Sequence, residues 1–280
     1  MSDGTPLRLS LDGRSSARSL LLTVLGEYVL PSGHSTWTST LVRALAALGV
    51  EEKACRQALA NMARAGWISR ERRGRSVKWY LTDDGRSLLE EGSERIYSFD
   101  PVRAGWDGHW LVVLISVPEE RRPYRHVLRT RLAWAGFGSL GQGAWVSPLG
   151  SSREKELAGI LGDLGDQVKA ISFIAELGSL TDPSALVRQA WDIEFLDNRY
   201  RAFIELFRSA PRTGPEEAFV TKSWLVHEWR RFPLLDPGIP AELLPVSWNG
   251  GPAAELFHKL YDELSSDAAA WFAGLDEVVP

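Results

Sequence analysis

Several things are scarce in this sequence, and each scarcity excludes something. A single cysteine, Cys55, rules out an internal disulfide framework and any cysteine-based zinc cluster, and it suits a reducing compartment. The five histidines (34, 109, 126, 227 and 258) fall in separate elements at no metal-ligand spacing. The apolar run over residues 110–115 is far too short to span a bilayer. The opening residues, MSDGTPLRLSLDGR, have no apolar stretch of the kind a signal peptide needs. G-x-S-x-G, P-loop and H-E-x-x-H patterns are absent as well. The expectation is a cytoplasmic protein that is not an enzyme and that uses no cofactor and no metal.

What the chain does have is an uneven distribution of charge. Its 280 residues carry a net −4, which looks wrong for a partner of nucleic acid until the chain is divided. Residues 1–98 hold 14 Lys+Arg against 11 Asp+Glu, whereas residues 181–280 hold 9 against 16. Between Lys53 and Lys78 there are eight basic residues and one acid, Glu71. Positive charge is therefore concentrated in one short stretch, as a nucleic-acid reader requires, and the acidic surplus lies at the other end.

That stretch, residues 40–82, reads TLVRALAALGVEEKACRQALANMARAGWISRERRGRSVKWYLT. Periodicity predicts helices over 15–30, 38–48 and 51–65, the second ending at Gly49. On a wheel of the third helix Cys55, Ala58, Leu59 and Met62 share one side. Lys53, Gln57, Ala60 and Arg64 share the other, flanked by Arg56 and Asn61. Arg, Lys, Gln and Asn pair with guanine and adenine edges, and a small Ala among them permits close approach. Taken alone, such a face is more often just solvated surface. Trp67-Ile68 and residues 77–81 alternate like hairpin strands around Arg72-Arg73-Gly74-Arg75, and a helix over 83–91 closes the unit at Gly92. Helix, turn, helix and basic hairpin make a winged helix-turn-helix. Its candidate DNA contacts are Thr38, Thr40, Lys53, Arg56, Gln57, Asn61, Arg64, Arg72, Arg73, Arg75 and Lys78.

Beyond this unit the periodicity predicts a strand over 110–117, a helix over 122–135, a strand near 144–147, a helix near 153–164 and a strand over 170–177. That is a ferredoxin-like plan with one weak strand. Gly136-x-Gly138-x-x-Gly141 matches the dinucleotide fingerprint in letters only, because it follows a helix and leads into a strand; turns are expected there instead. Helices are expected over 184–209, 218–231 and 252–265, in a region holding five of the twelve tryptophans. The expected division is a disordered N-terminus (1–14), a winged helix (15–92), a linker (93–108), a ferredoxin-like dimerisation domain (109–180) and a helical regulatory domain (181–280). The fold class is α+β.

Laid out in order, SARSLLLTVLGEY, LGVEEKACRQALANMARAGWISRERRGRSVKWYLTDDG, WLVVLISVPEERR, RHVLRTRLAWAGFG, GAWVSP, VHEWRRFPLLDPGIPAELLP and WNGGPAAELF resemble the PaaX family of transcriptional repressors over nearly the whole length. The resemblance implies a dimeric, GntR-like winged-helix repressor of a catabolic operon such as that for phenylacetate. An aryl- or acyl-CoA thioester, such as phenylacetyl-CoA, would release it from operator DNA. It carries the DNA-reading role to Lys53, Arg56, Gln57, Asn61, Arg64 and the wing arginines, and no effector residue. A CoA thioester calls for cations and stacking rings, which makes Trp106, His109 and Trp110, and Trp224, His227 and Arg230, the candidate effector residues. Arg125, Arg129 and Arg131 with Trp134 form a third such group. The middle segment also looks like the Cas2 nuclease, which raises the alternative of a metal-dependent nuclease. Such an enzyme needs a carboxylate at the end of the first strand, and residues 115–118 read ISVP.

Overall fold

Residues 40–82 fold as two helices, a tight turn and a hairpin. The computed structural model describes Leu11, residues 15–33 and residues 35–277; the stretch 1–14, apart from Leu11, lies outside the described residues, as does His34. The order is α1 (Ala17–Val24), continued by a π-helical turn (Leu25–Val29), then β1 (Ser35–Trp37), α2 (Thr38–Ala47), α3 (Glu52–Arg64), β2 (Ile68–Arg73), β3 (Ser76–Leu81) and α4 (Asp83–Tyr97). Gly49, at φ +81°, ends α2 in the left-handed conformation, and the amides of Gly49 and Val50 return to Ala46 and Leu45. The three-stranded sheet runs β1-β3-β2, all antiparallel.

The chain divides into two compact units, and neither is a continuous stretch. The first joins residues 1–99 to residues 202–231 and 255–280; the second joins residues 100–201 to residues 232–254. In the first, Leu20, Leu21, Val24, Leu41, Leu45, Leu59 and Met62 form the floor of the winged helix and are almost fully buried. Against α1 lies α9 (Pro215–Trp229), in which every residue from Ala218 to Trp229 is buried. Aromatic rings fill the remaining space: Tyr28 stacks on Phe272 at 5.1 Å and Trp229 on Phe257 at 4.6 Å.

The second unit holds β4 (His109–Ser116), α5 (Pro123–Trp134), β5 (Gly138–Gly141), β6 (Ala144–Ser147), α6 (Gly150–Leu164), β7 (Lys169–Glu176), α7 (Pro183–Ala190) and α10 (Phe232–Leu235). Its sheet order, β5-β6-β4-β7, is antiparallel throughout. Two central strands between two outer ones, with α5 and α6 covering one face, give the ferredoxin-like arrangement. Leu111, Val113, Ile115, Leu128 and Leu132 form the core under those helices. Two helices, α8 (Ile193–Arg208) and α11 (Gly250–Glu277), contribute residues to both units.

Four local expectations are corrected. The helix expected to stop at Gly92 continues to Tyr97, whose hydroxyl donates to Glu27 and whose ring packs on Tyr261 at 5.1 Å. That contact outweighs the roughly 1 kcal/mol an interior glycine costs a helix. The single helix expected over 184–209 breaks at Trp191, where Asp192 accepts from the Phe195 amide at 3.0 Å and starts α8 afresh. The final helix is about twice its expected length, because Phe272 and Trp271 are held against Tyr28 and Phe219. Gly138 opens strand β5 and does not form a turn; a Cβ there would lie 2.6 Å from Ala190 and Trp191.

Candidate nucleic-acid interface

Helix α3 forms because its apolar positions recur at helical spacing, and those positions fix which side faces out. Cys55, Ala58, Leu59 and Met62 are buried, with Cys55 fully enclosed. Burial pushes the Cys55 thiol up to about 11, so it is protonated and inert at neutral pH. The opposite side presents Lys53, Arg56, Gln57, Ala60 and Arg64 to solvent, or nearly so, with Asn61 half-buried beside them. Their internal ties are light. Arg56 Nε donates to Glu52 Oε1 at 2.7 Å, and Gln57 Nε2 donates to Asn61 Oδ1 at 3.0 Å. Both pairs are exposed, so water or a nucleic acid can replace either partner at small cost.

The hairpin is a two-residue turn on a full ladder, with Arg72 opposite Val77 and Arg73 opposite Ser76. Gly74 takes the first central position at φ +62°, where a tight hairpin turn of this kind demands glycine. Arg70, Arg72, Arg73 and Arg75 are exposed along it. The one acid, Glu71, is held by Arg73 Nη2 at 3.1 Å and by the Tyr80 hydroxyl at 2.8 Å. Those bonds hold its carboxyl below the usual carboxylate range, with the Arg73 bond the larger cause. Glu71 therefore stays ionised and is engaged by Arg73, leaving Arg72 and Arg75 at the tip. Lys78 lies over the Trp37 ring at 5.4 Å, at the base of the hairpin.

Two of the sequence candidates do not join this surface. Thr40 is fully buried, and its hydroxyl donates to Asp276 Oδ1 at 2.9 Å. Thr38 donates to the Val77 carbonyl at 3.1 Å and accepts from Trp79 Nε1 at 2.8 Å. Both hydroxyls hold the fold together. Asp276 also accepts from the Thr36 hydroxyl at 2.7 Å and the Trp37 amide at 3.3 Å. The far end of the last helix thus places a carboxylate at the N-terminus of α2, where the helix dipole favours it. No sequence signal links residues 240 positions apart, so periodicity gives no hint of this clamp.

The candidate effector residues fall in different units. Trp224 and His227 are buried in the first. The His227 ring bonds Thr23 Oγ1 at 3.2 Å and Ser15 Oγ at 2.9 Å, and Arg230 donates to Ser19 Oγ at 2.6 Å. Desolvation, with Arg230 and Arg231 adding to it, lowers His227 to about 3, so its imidazole is neutral. In the second unit Trp110 is a core residue, and Trp106 packs on it at 5.4 Å while donating to the His109 carbonyl at 3.1 Å. Partly exposed His109 lies 3.6 Å from Glu176. Arg125 bonds Glu119 at 2.7 Å, Arg131 bonds Asp163 at 2.9 Å, and Trp134 is exposed.

At the end of β4, where a nuclease of the Cas2 type needs a metal-binding carboxylate, stands Ser116. Glu119 lies one turn on, tied to Arg125. Among the described residues no group of three His, Cys, Asp or Glu side chains could hold a metal ion, and no helix is long and apolar enough to cross a membrane.

Three family models match the chain in sequence order: the PaaX-like protein over residues 16–85, the PaaX protein central Cas2-like domain over 103–187, and the PaaX-like protein C-terminal domain over 191–274. The transcriptional repressor PaaX of Escherichia coli (strain K12) is 30% identical over 267 residues, which cover 91% of this chain and 83% of the relative. Among solved structures, the uncharacterized protein Rv0674 from Mycobacterium tuberculosis matches with a TM-score of 0.59 at 25% identity, over 91% of this chain and 98% of the other.

Proposed function

This chain belongs to the PaaX family, and from that premise we propose that it is a DNA-binding transcriptional repressor whose reading head is α3 with the β2–β3 wing. The observation that carries the residue assignment is the contrast around α3. Its polar side points outward with only light internal ties, and the adjacent hairpin tip is rich in arginine. Lys53, Arg56, Gln57, Asn61 and Arg64 read base edges in the major groove, and Arg72, Arg73 and Arg75, with Lys78 at the wing's base, bind backbone phosphates. The protein acts in the cytoplasm as a homodimer on a two-fold operator. A small-molecule effector, an aryl- or acyl-CoA thioester such as phenylacetyl-CoA, releases it from a catabolic operon.

Footprinting on the promoter region of the neighbouring genes tests this, with and without phenylacetyl-CoA and other acyl-CoA compounds. Protection of one palindromic site, removed on adding one of them, is expected. Absence of any protected region would sink the reading. Replacing Arg72, Arg73 and Arg75 together with Ala weakens binding to every duplex and lowers the salt slope by about 0.9 for each phosphate that is no longer neutralised. Gln57→Ala changes the preference among operator variants instead, by about 1–3 kcal/mol at the base pair it reads.

A further inference from the structure

The second unit contains a cavity of about 610 Å³ at the C-terminal end of β4. The end of β4, helix α5 and the turn between β5 and β6 line it, and it is open to solvent on one side. Its walls divide by chemistry. Ile115, Leu128 and Trp145 supply apolar surface, and Arg125 and Arg129 supply positive charge. Among the described residues that line it there is no Asp or Glu. Arg125 is partly engaged, donating to Glu119 at 2.7 Å and to the Val117 carbonyl at 3.2 Å. Arg129 lies one helical turn on, is exposed, and its guanidinium has no ion pair or hydrogen bond among the described residues. It is an uncommitted guanidinium beside an apolar recess.

The opposite wall is a turn of unusual conformation. Gly141, Gln142 and Gly143 all have positive φ, at +87°, +47° and +82°. Gln142 is the one non-glycine residue with positive φ among the described residues, and it lines the cavity. A glutamine held there is strained, and such strain gathers at ligand-binding positions. Gly143 secures the turn: its carbonyl accepts from the Ile115 amide at 2.8 Å, and a Cβ at Gly143 would lie 2.2 Å from the Ile115 carbonyl oxygen. The turn is thus fastened to β4, with a side-chain amide at the cavity.

We propose that this cavity binds a small amphipathic anion, a flat apolar body bearing a carboxylate or phosphate. The guanidinium of Arg129 pairs with the oxyanion, the Gln142 amide adds a donor, and the ring lies against Trp145 and Leu128. The site deepens the effector-released reading and rests on it for biological meaning, although binding itself needs no DNA. Two sources share this chemistry: a free aryl acid, and the nucleotide end of a CoA thioester.

Calorimetry on the full chain separates them, with phenylacetate as one probe and coenzyme A as the other. Saturable binding of one probe is expected, weakened at least about tenfold by Arg129→Ala and partly restored by Arg129→Lys. Arg201→Ala, which removes a cation tied to Asp197 at 3.0 Å and not lining the cavity, leaves the affinity unchanged. Failure of both probes to bind at millimolar concentration overturns the proposal, as does equal binding by Arg129→Ala in a folded variant. A footprint that responds equally to an effector in parent and Arg129→Ala chains also overturns it, and leaves the repressor reading standing. If no footprint forms at all, the repressor reading falls and the calorimetry alone judges the cavity.

Discussion

Helices α3 and α9 belong to the same compact unit and carry similar polar side chains, yet they use them in opposite ways. Helix α3 buries one side and leaves Lys53, Arg56 and Gln57 in water. Helix α9 is buried all round and takes Lys222, Ser223, His227 and Glu228 into the interior with it. Inside, each of the four meets at least one polar partner. Lys222 Nζ sits 3.0 Å from Glu27 Oε2, with the side chains 5% and 6% exposed, and lies over the Tyr261 ring at 4.3 Å. Ser223 bonds the Tyr28 hydroxyl at 3.2 Å, and Glu228 bonds Arg231 at 3.2 Å. A buried charge must be paired because the interior cannot solvate it, whereas an exposed one can wait for a partner. The availability of a polar side chain is decided by its surroundings and not by its type.

Substitutions can break that contrast, and the largest effect is expected at the buried ion pair. Lys222→Ala strands Glu27 in the interior and costs about 3–5 kcal/mol in urea unfolding. The double change Lys222→Met with Glu27→Leu recovers most of that loss, since no charge is then left unpaired. Next comes pH. The His227 value falls from 6.5 in the open chain to about 3 in the fold, so the unfolded state binds the extra proton between those values. Its contribution to stability is complete above pH 6.5 and is lost as pH drops towards 3. His227→Gln should flatten the stability profile between about pH 6.5 and 5, above most carboxylate titration; an unchanged slope would contradict the buried neutral imidazole.

Smaller still is the clamp on α2. Asp276→Ala removes the acceptor shared by Thr36, Trp37 and Thr40 and should cost about 1–3 kcal/mol. Faster amide exchange at the start of α2 would locate the loss. Smallest is the triple replacement of Arg72, Arg73 and Arg75 with Ala, expected to leave stability within about 0.5 kcal/mol of the parent while abolishing most DNA affinity. A wing variant that unfolds early would show that these arginines are structural, and the comparison would fail.

The α3 side was legible because an amphipathic helix encodes its own orientation: the 3.6-residue period separates Cys55, Ala58, Leu59 and Met62 from Lys53, Gln57, Ala60 and Arg64, and the fold buries the first group and turns the second outward. The ferredoxin-like plan was legible for the same reason, its strands and helices alternating in order. Strand β1 was not, since three residues carry too short a pattern, and it exists through pairing with β3. Helix α9 is the most misleading element. With apolar and polar residues all round it, Trp224, His227 and the following Arg230 suggest a ligand pocket, whereas His227 bonds Ser15 and Thr23, and Arg230 bonds Ser19, along α1 and just before it.

The sequence by itself determined the local elements, the direction in which α3 faces, the concentration of positive charge and the family. Periodicity, caps and composition are properties of neighbours along the chain, and they suffice for that. Only the tertiary structure decided which residues are engaged and which are free. Lys222 meets Glu27, His227 meets Ser15 and Thr23, and Asp276 meets Thr40 across roughly two hundred residues of chain or more. No local pattern records such pairings, because burial and charge pairing are settled between elements when they pack.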